Sequence, residues 1–407
     1  MKRFLYLTFI FITSSLYGSD YSDYYGSMAE IISQPDPDTG LTVFPTLLIP
    51  MGGKLEGMGT AYTAVSKDFG FIESNPSASS VLKYTELTFS HNNWIADSRM
   101  EGVVYTVRFN DLGIGAAGKF LYVPFTEYDT WGERVSKGYY SETIATMNIS
   151  YNFFPTYYFY GVAVGANLKF AYRNIPASIY PDQSAIAFMT DIGALTRFNF
   201  AKPFVSRSKN FSVGAVIKNL GPYVLQEPLP TEVTVGIAYS PIRPVTAAVD
   251  LNLPVTFNTN YPAENWNIVA GTDIVFTDFF SVQGGFRYRG SNPGISLGAT
   301  VDLQKMSFIV NYTMDLTTQF GVLDRFSLAA RLKIGDRGRA ALQARVDELY
   351  ITALEEYANG NLEEAITYLE KALEIDPRFI PAAELLRVLQ QTISLHREME
   401  DIQKIEE

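Results

Sequence analysis

The sequence contains no cysteine, only two histidines, and 18% charged residues where soluble proteins average roughly 25%. Without cysteine there is no disulfide framework, zinc ribbon, thiol nucleophile or acylated N-terminal cysteine. The two histidines, His91 and His396, lie about 300 positions apart, and Ser90 beside His91 does not make a dyad, because adjacent residues of a strand point to opposite faces. No phosphate loop, metal-ligand spacing or basic aromatic platform is present, so neither an enzyme nor a cofactor is expected. A net charge of −11 argues against a protein that grips nucleic acid by its phosphates. Beyond the N-terminus the chain never reaches the roughly 18 consecutive apolar residues of a spanning helix.

What the chain has in quantity is aromatic residues, 28 Phe, 26 Tyr and 3 Trp among 407 residues, and 30 glycines. They are unevenly placed. Only Tyr350, Tyr357, Tyr368 and Phe379 follow Asp336, where 16 acidic residues meet 8 basic ones. The composition predicts two modules with a boundary at Gly335 to Gly338. At the other end, Met1-Lys2-Arg3, the apolar run Phe4 to Thr13 and the small-residue exit to Ser19 form a secretory signal pattern, with cleavage expected after Gly18. An exported chain with no spanning helix is either soluble or meets a membrane as strands.

From Thr85 to Ile334 the dominant period is two. Val162, Val164, Ala166, Leu168, Phe170 and Tyr172 share one face and Ala163, Gly165, Asn167, Lys169, Ala171 and Arg173 the other. Fourteen such segments begin near Thr85, Gly102, Leu112, Glu142, Tyr158, Ala185, Asn210, Glu232, Val245, Asn265, Phe280, Ile295, Met306 and Arg325. Many run about 10 residues, the length with which a tilted strand crosses the hydrocarbon layer. Connections alternate between short ones, such as Asn110-Asp111, Pro155-Thr156 and Gln304-Lys305, and long ones, such as Phe125 to Tyr139 and Pro254 to Glu264. Aromatics including Trp94, Phe109, Tyr122, Phe153, Phe198, Trp266 and Phe276 fall near strand ends, as an interfacial girdle requires. These features predict an all-β transmembrane barrel of about fourteen antiparallel strands over residues 85–335. A soluble sandwich also alternates, but its strands are shorter and its surface more charged. On the barrel reading Lys119, Lys169, Arg173, Asp191, Arg197 and Asp250 face the lumen, with Arg287, Arg289, Asp302 and Arg331.

Residues 19–84 precede the first strand and are too apolar for a linker. Leu41 to Gly53, Gly57 to Asp68 and Glu73 to Ala78 are glycine-rich and do not alternate. A stretch of this kind ahead of a closed sheet has few places to lie other than inside it, and we read it as a plug. Gly57-Met58-Gly59, Ala61-Tyr62-Thr63-Ala64-Val65, Asp68 and Asn75-Pro76-Ser77 resemble the hatch of FadL/TodX outer-membrane transporters. They are closer still to the PorV-like branch and related spirochaetal proteins, to which Ile217-Lys218-Asn219-Leu220-Gly221 is also similar. The pattern departs at Ser77, where the family has alanine.

The resemblance implies a fourteen-stranded barrel in the outer membrane of a Gram-negative or spirochaete cell, gated by an N-terminal hatch, that takes up fatty acids or other hydrophobic small molecules. Gly57, Met58, Gly59, Asn75, Pro76 and Ser77 would form the gate. Apolar ligands would rest on Phe44, Leu48, Met51, Met58 and Phe69. The family also has a kinked third strand that opens a lateral exit. The counterpart here is the glycine-rich third strand, with Gly113, Gly115 and Gly118. The PorV-like resemblance implies a different role, a scaffold for secretion or surface anchoring, and a continuous apolar tunnel would separate the two.

After Ile334 the period becomes helical. Leu349, Ala353, Gly360, Ala365, Leu369, Ala372 and Pro377 match one tetratricopeptide unit between Val346 and Phe379. An unrelated helical hairpin is the alternative. A third helix is expected from about Pro381. An even number of strands returns the chain to its starting side, so residues 336–407 are expected in the periplasm, offering an acidic face to a protein partner.

Overall fold

The computed structural model describes residues 38, 40–93, 97–177, 181–204, 206–257, 262–290, 294–315 and 323–406. The expected signal segment and Trp94 lie outside them. Fourteen strands form the wall: β1 (Thr85–Asn93), β2 (Arg99–Phe109), β3 (Leu112–Tyr128), β4 (Arg134–Phe153), β5 (Val162–Asn174), β6 (Ala185–Phe198), β7 (Phe211–Leu220), β8 (Glu232–Ile242), β9 (Val245–Pro254), β10 (Asn267–Thr277), β11 (Phe280–Tyr288), β12 (Gly294–Leu303), β13 (Met306–Asp315) and β14 (Leu323–Gly335). Each pairs antiparallel with the next, and β14 pairs with β1 from Thr85↔Gly335 to Asn93↔Phe326, closing the ring. Closure matters because an open edge in lipid would leave a row of backbone N–H and C=O groups without partners.

The two faces of the wall invert the arrangement of a soluble protein. Phe89, Val103, Met147, Ile149, Leu168, Phe188 and Leu297 are exposed on the outside, while Thr88, Asn92, Asn148, Asn167, Gln283 and Asn311 are buried on the inside. An apolar exterior around a polar interior is stable only where the exterior meets hydrocarbon. Rings cluster along the margins: Phe198 with Phe211 at 5.0 Å, Phe276 with Phe280 at 6.2 Å, and Tyr122 with Tyr139 at 5.3 Å. Ser90 points inward, and His91 points outward to Glu101, 2.7 Å away.

Two of the expected connections differ. Phe125 to Tyr139 is not a loop, because the β3–β4 ladder continues through Phe125↔Gly138 to Tyr128↔Arg134. A projecting hairpin satisfies its own backbone, so polar residues there keep pairing after the hydrocarbon layer has ended. Pro155-Thr156 is not a tight turn either, since strand pairing stops at Phe153 and resumes at Val162. On that same end β2–β3, β8–β9, β10–β11 and β12–β13 are joined by two residues each, whereas residues 199–210 join β6 to β7.

The C-terminal helices explain the exceptions. Helices α1 (Arg339–Ala358), α2 (Leu362–Ile375) and α3 (Ile380–Glu406) bury Leu349, Ala353, Ala365, Leu369, Ala372, Phe379 and Leu389 together. Gly360, at φ 85°, makes the left-handed turn after α1. Asp376-Pro377 ends α2, since the residue before a proline is disfavoured in helix. The bundle rests on the two long connections and on the β2–β3 turn. Tyr157 meets Phe379 edge-on at 5.3 Å, Arg207 pairs with Asp347 at 2.9 Å, and Arg378 pairs with Asp111 at 2.8 Å.

Candidate functional site

Residues 38–82 touch the inner face of every strand, and a segment that does so within a closed ring lies inside it. Counting round the wall, Asn92 of β1 donates to Pro50 O at 3.1 Å, and Gly102 of β2 faces Met51. Lys119 of β3 pairs with Glu73 at 2.7 Å, and Asn148 of β4 donates to Pro76 O at 2.9 Å. Asn167 of β5 donates to Ile72 O at 2.8 Å, and Ala194 O of β6 accepts from Asn75 at 3.0 Å. Gly214 of β7 and Gly236 of β8 both face Thr63. Asp250 of β9 accepts from the amides of Tyr62 and Thr63 at 3.0 and 2.8 Å. Asp273 of β10 holds Lys54 at 3.0 Å, while Gly285 of β11 and Gly298 of β12 lie against Gly59 and Gly57. Thr313 of β13 and Arg325 of β14 both donate to Glu56, at 2.9 and 2.7 Å.

The expected gate residues sit at two poles of this segment. Gly57-Met58-Gly59 ends the short helix Gly53–Gly57 and presses on the wall from β10 to β13. Its glycines permit a backbone-to-backbone approach that a Cβ would prevent. Asn75-Pro76-Ser77 starts the 3-10 helix Pro76–Val81 at the opposite side. Fully buried Asn75 accepts from the amide and hydroxyl of Ser77, at 3.2 and 2.7 Å, and donates to Thr63 O. It therefore ties the Asn75-Pro76-Ser77 turn to the middle of the segment, at Thr63, and to β6.

The expected ligand residues divide. Leu48 and Met51 line a cavity of about 80 Å³ at the long-loop end, together with Glu73, Lys119, Glu232 and Arg287. Phe44, Met58 and Phe69 do not reach it. Each is buried, Phe44 among Val43, Ile144, Ala171 and Met189, Met58 beside Tyr62 and Val269, and Phe69 beside Phe71 and Ala329. At the turn end a second cavity of about 830 Å³ is lined by Lys54, Asp68, Asp278, Asp302, Arg331 and Lys333 among others. Buried Leu55, Met58, Tyr62 and Phe71 of the segment are packed inside the barrel. The β3 ladder is unbroken at Gly113, Gly115 and Gly118 on both sides. Gly113 and Gly115 lack side chains where the backbone of Ser79-Ser80 and the ring of Phe71 press on the wall.

Of the lumen charges expected from alternation, Lys169 and Asp191 pair at 2.7 Å, and Arg331 lies among Asp68, Glu86 and Asp302. Arg289 departs from the pattern: it follows the end of β11 and covers the Trp266 ring. Sequence reasoning missed the partners that the segment itself contributes, Lys54, Glu56 and Glu73. The available signal was the presence of charges in a glycine-rich apolar stretch, which once buried must find counter-charges.

The model of an uncharacterised protein family, UPF0164, matches residues 25–336. A UPF0164 protein of Treponema pallidum (strain Nichols) is 28% identical over 378 residues, covering 88% of this chain and 85% of its own length. Another from the same organism is 26% identical over 181 residues, 43% of this chain and 36% of that one. Among solved structures, the Ralstonia pickettii toluene transporter TbuX aligns with 72% of this chain and 99% of its own, at 10% identity and a TM-score of 0.48. The Pseudomonas putida toluene transporter TodX aligns with 69% and 96%, at 11% identity and a TM-score of 0.47.

Proposed function

The chain belongs to that family, and we propose that it is an outer-membrane channel for small apolar or amphipathic molecules of the fatty-acid class, closed in this structure by residues 38–82 acting as a hatch. The observation that carries this reading is the character of the contact between segment and wall. Beside the apolar packing at Phe44, Met58 and Phe69 it contains a ring of hydrogen bonds and ion pairs, at Glu56, Lys54, Glu73, Asn75 and Asp250. Water can replace such contacts when a segment shifts, whereas an apolar core exposed to water costs about 25 cal/mol per Å². A permanent filling of the barrel needs no hydratable boundary.

The substrate class comes from the likeness of the Gly57 to Ser77 motifs to FadL/TodX hatches. Each buried methylene contributes about 0.8 kcal/mol, so an apolar route binds a long chain without any catalytic group. The 80 Å³ cavity is too small for such a chain, and movement of the hatch around Asn75-Pro76 would have to enlarge it. A lateral exit at Gly113, Gly115 and Gly118 would further require the β3 ladder to part. The test is uptake of labelled fatty acids and toluene by liposomes containing the purified protein. Passage above that of protein-free liposomes supports the channel. No passage, together with silent single-channel recordings, sinks it.

A scaffold is the second reading, favoured by the filled lumen and the docked helices. On that reading the acidic helical bundle would recruit a periplasmic protein and nothing would cross.

A further inference from the structure

Between the turn end of the barrel and the helical bundle lies a cavity of about 1020 Å³, larger than its 830 Å³ neighbour. Its charge is unlike that of the rest of the molecule. Seven cationic side chains line it against two carboxylates, Asp111 and Asp376, in a protein whose net charge is −11. The neighbouring 830 Å³ cavity, which shares Lys67 and Arg197 with it, has six cations against five carboxylates, so the excess is concentrated on the side of Arg108, Arg207 and Lys209.

Two of the seven cations hold the roof: Arg378 pairs with Asp111, and Arg207 with Asp347. Four others, Lys67, Arg108, Arg197 and Lys209, form no ion pair among the described residues. Arg108 donates to the carbonyls of Asn110 and Leu82, Arg197 to Val65 O at 2.8 Å, and Lys209 to Tyr158 O at 2.7 Å. Backbone carbonyls orient these groups without neutralising them. Like charges gathered around one space repel, and the arrangement is relieved by an anion that enters it. A single carboxylate offsets only a fraction of the excess. A compact group with two or more negative charges and several acceptor oxygens matches it, because guanidinium groups donate in forks suited to phosphate and carboxylate.

We infer that this chamber binds a small multivalent anion, a phosphate ester or polycarboxylate, between the barrel mouth and the helical bundle. The inference goes beyond the channel reading and does not require it. Gln343, Asp376 and Arg378 come from the bundle and Arg197 and Lys209 from the barrel side, so an occupant also fastens the bundle to the mouth.

The test is calorimetric titration of the full-length protein in detergent at constant ionic strength, using pyrophosphate, citrate and monovalent acetate as probes. Pyrophosphate, citrate or both are expected to bind at one site and acetate not to compete. Preference for pyrophosphate assigns a phosphate ligand, and preference for citrate a polycarboxylate. The double variant Lys67→Gln/Lys209→Gln should bind at least about tenfold more weakly, the effect of losing one or two charge-assisted hydrogen bonds. Arg197→Lys, which keeps the charge but loses the fork, should weaken binding by less than the double variant does. Equal competition by acetate, or parental affinity in the double variant, overturns the inference. Lys67 is solvent-exposed and Lys67→Gln alone is the control for folding: weakened binding by this variant still supports the site, and unchanged binding in both variants refutes it.

Discussion

The hydroxyls of Ser79, in the lumen segment, and Ser150, on β4, lie 2.6 Å apart and both are buried. The chain has no cysteine of its own, so Ser79→Cys/Ser150→Cys places a single thiol pair where a disulfide can bridge segment and wall. If residues 38–82 form a moving hatch, the oxidised variant should lose most solute passage through liposomes and regain it on reduction. Passage unaffected by oxidation, with the cross-link confirmed by mass spectrometry, would show that this end of the segment stays in place.

Glu56 is 1% exposed and holds Arg325, Thr313 and Ser327 on two strands. Glu56→Ala removes one member of a buried pair and strands the other charge, a loss of about 3–5 kcal/mol. The barrel is held by its own ladder, so the loss should fall on the segment. Protease cleavage within residues 38–82 is expected to speed up while the wall resists. Equal sensitivity in parent and variant would mean that the segment is not held by Glu56.

Gly284 and Gly285 are neighbours on β11 with opposite surroundings. A methyl group at Gly285 would overlap the backbone of Met58 and Gly59, whereas at Gly284 its nearest neighbour is the Thr272 hydroxyl at 3.6 Å. Gly285→Ala is expected to destabilise by about 1–3 kcal/mol through overpacking. Gly284→Ala should be neutral or stabilising by about 0.5 kcal/mol, since alanine has less chain entropy to lose. Thermal unfolding of the two variants decides this, and a common melting temperature would contradict the lumen placement of the segment.

Phe379 is buried where Tyr157, Tyr350 and Arg207 converge. Phe379→Ala should cost about 3–5 kcal/mol locally and release the bundle from the barrel. Cleavage at the linker between β14 and α1 is the readout, and a variant as resistant as the parent would show that the ion pairs at Arg207 and Arg378 suffice.

Asp336 sits in that linker. Its carboxylate accepts from the amides of Ala340, at 2.8 Å, and Gly338, at 3.0 Å, and these bonds hold its pKa below the usual carboxylate value. A folded pKa lower than the unfolded one stabilises the start of α1 above the unfolded value, and this contribution disappears as pH falls through the folded value. Hydrogen exchange at Ala340 should therefore be protected at neutral pH and speed up relative to its neighbours below about pH 4. Asp336→Asn should flatten that dependence, and a parent protein without it would rule out this stabilisation of α1.

The wall was largely legible before the fold was known. Val245, Phe280 and Met306 begin strands where alternation places them, and Gln283, Asn167 and Ser327 fall on the inner face that their parity assigns. The hairpin beyond Tyr122 was not legible, because its polar residues read as loop while their backbone goes on pairing. The long connections around Tyr157 and Arg207 could not be interpreted alone, since their length answers to helices whose contacting residues, Phe379 and Asp347, lie 222 and 140 positions later.

The candidate site was legible in outline only. Gly57-Met58-Gly59 and Asn75-Pro76-Ser77 stood out as motifs, yet Phe44, Met58 and Phe69 gave no sign that they would be sealed in packing while Leu48 and Met51 kept contact with a cavity.

By itself the sequence determined which way each wall side chain points, because a strand alternates its faces by local backbone geometry and a shift of one residue would bury the greasy side in water. Only the tertiary structure decided that Glu56 meets Arg325, 269 positions away, or that Lys67, Arg197 and Lys209 enclose one space. Such meetings depend on the register of every hairpin in a closed ring, and no local pattern carries that sum.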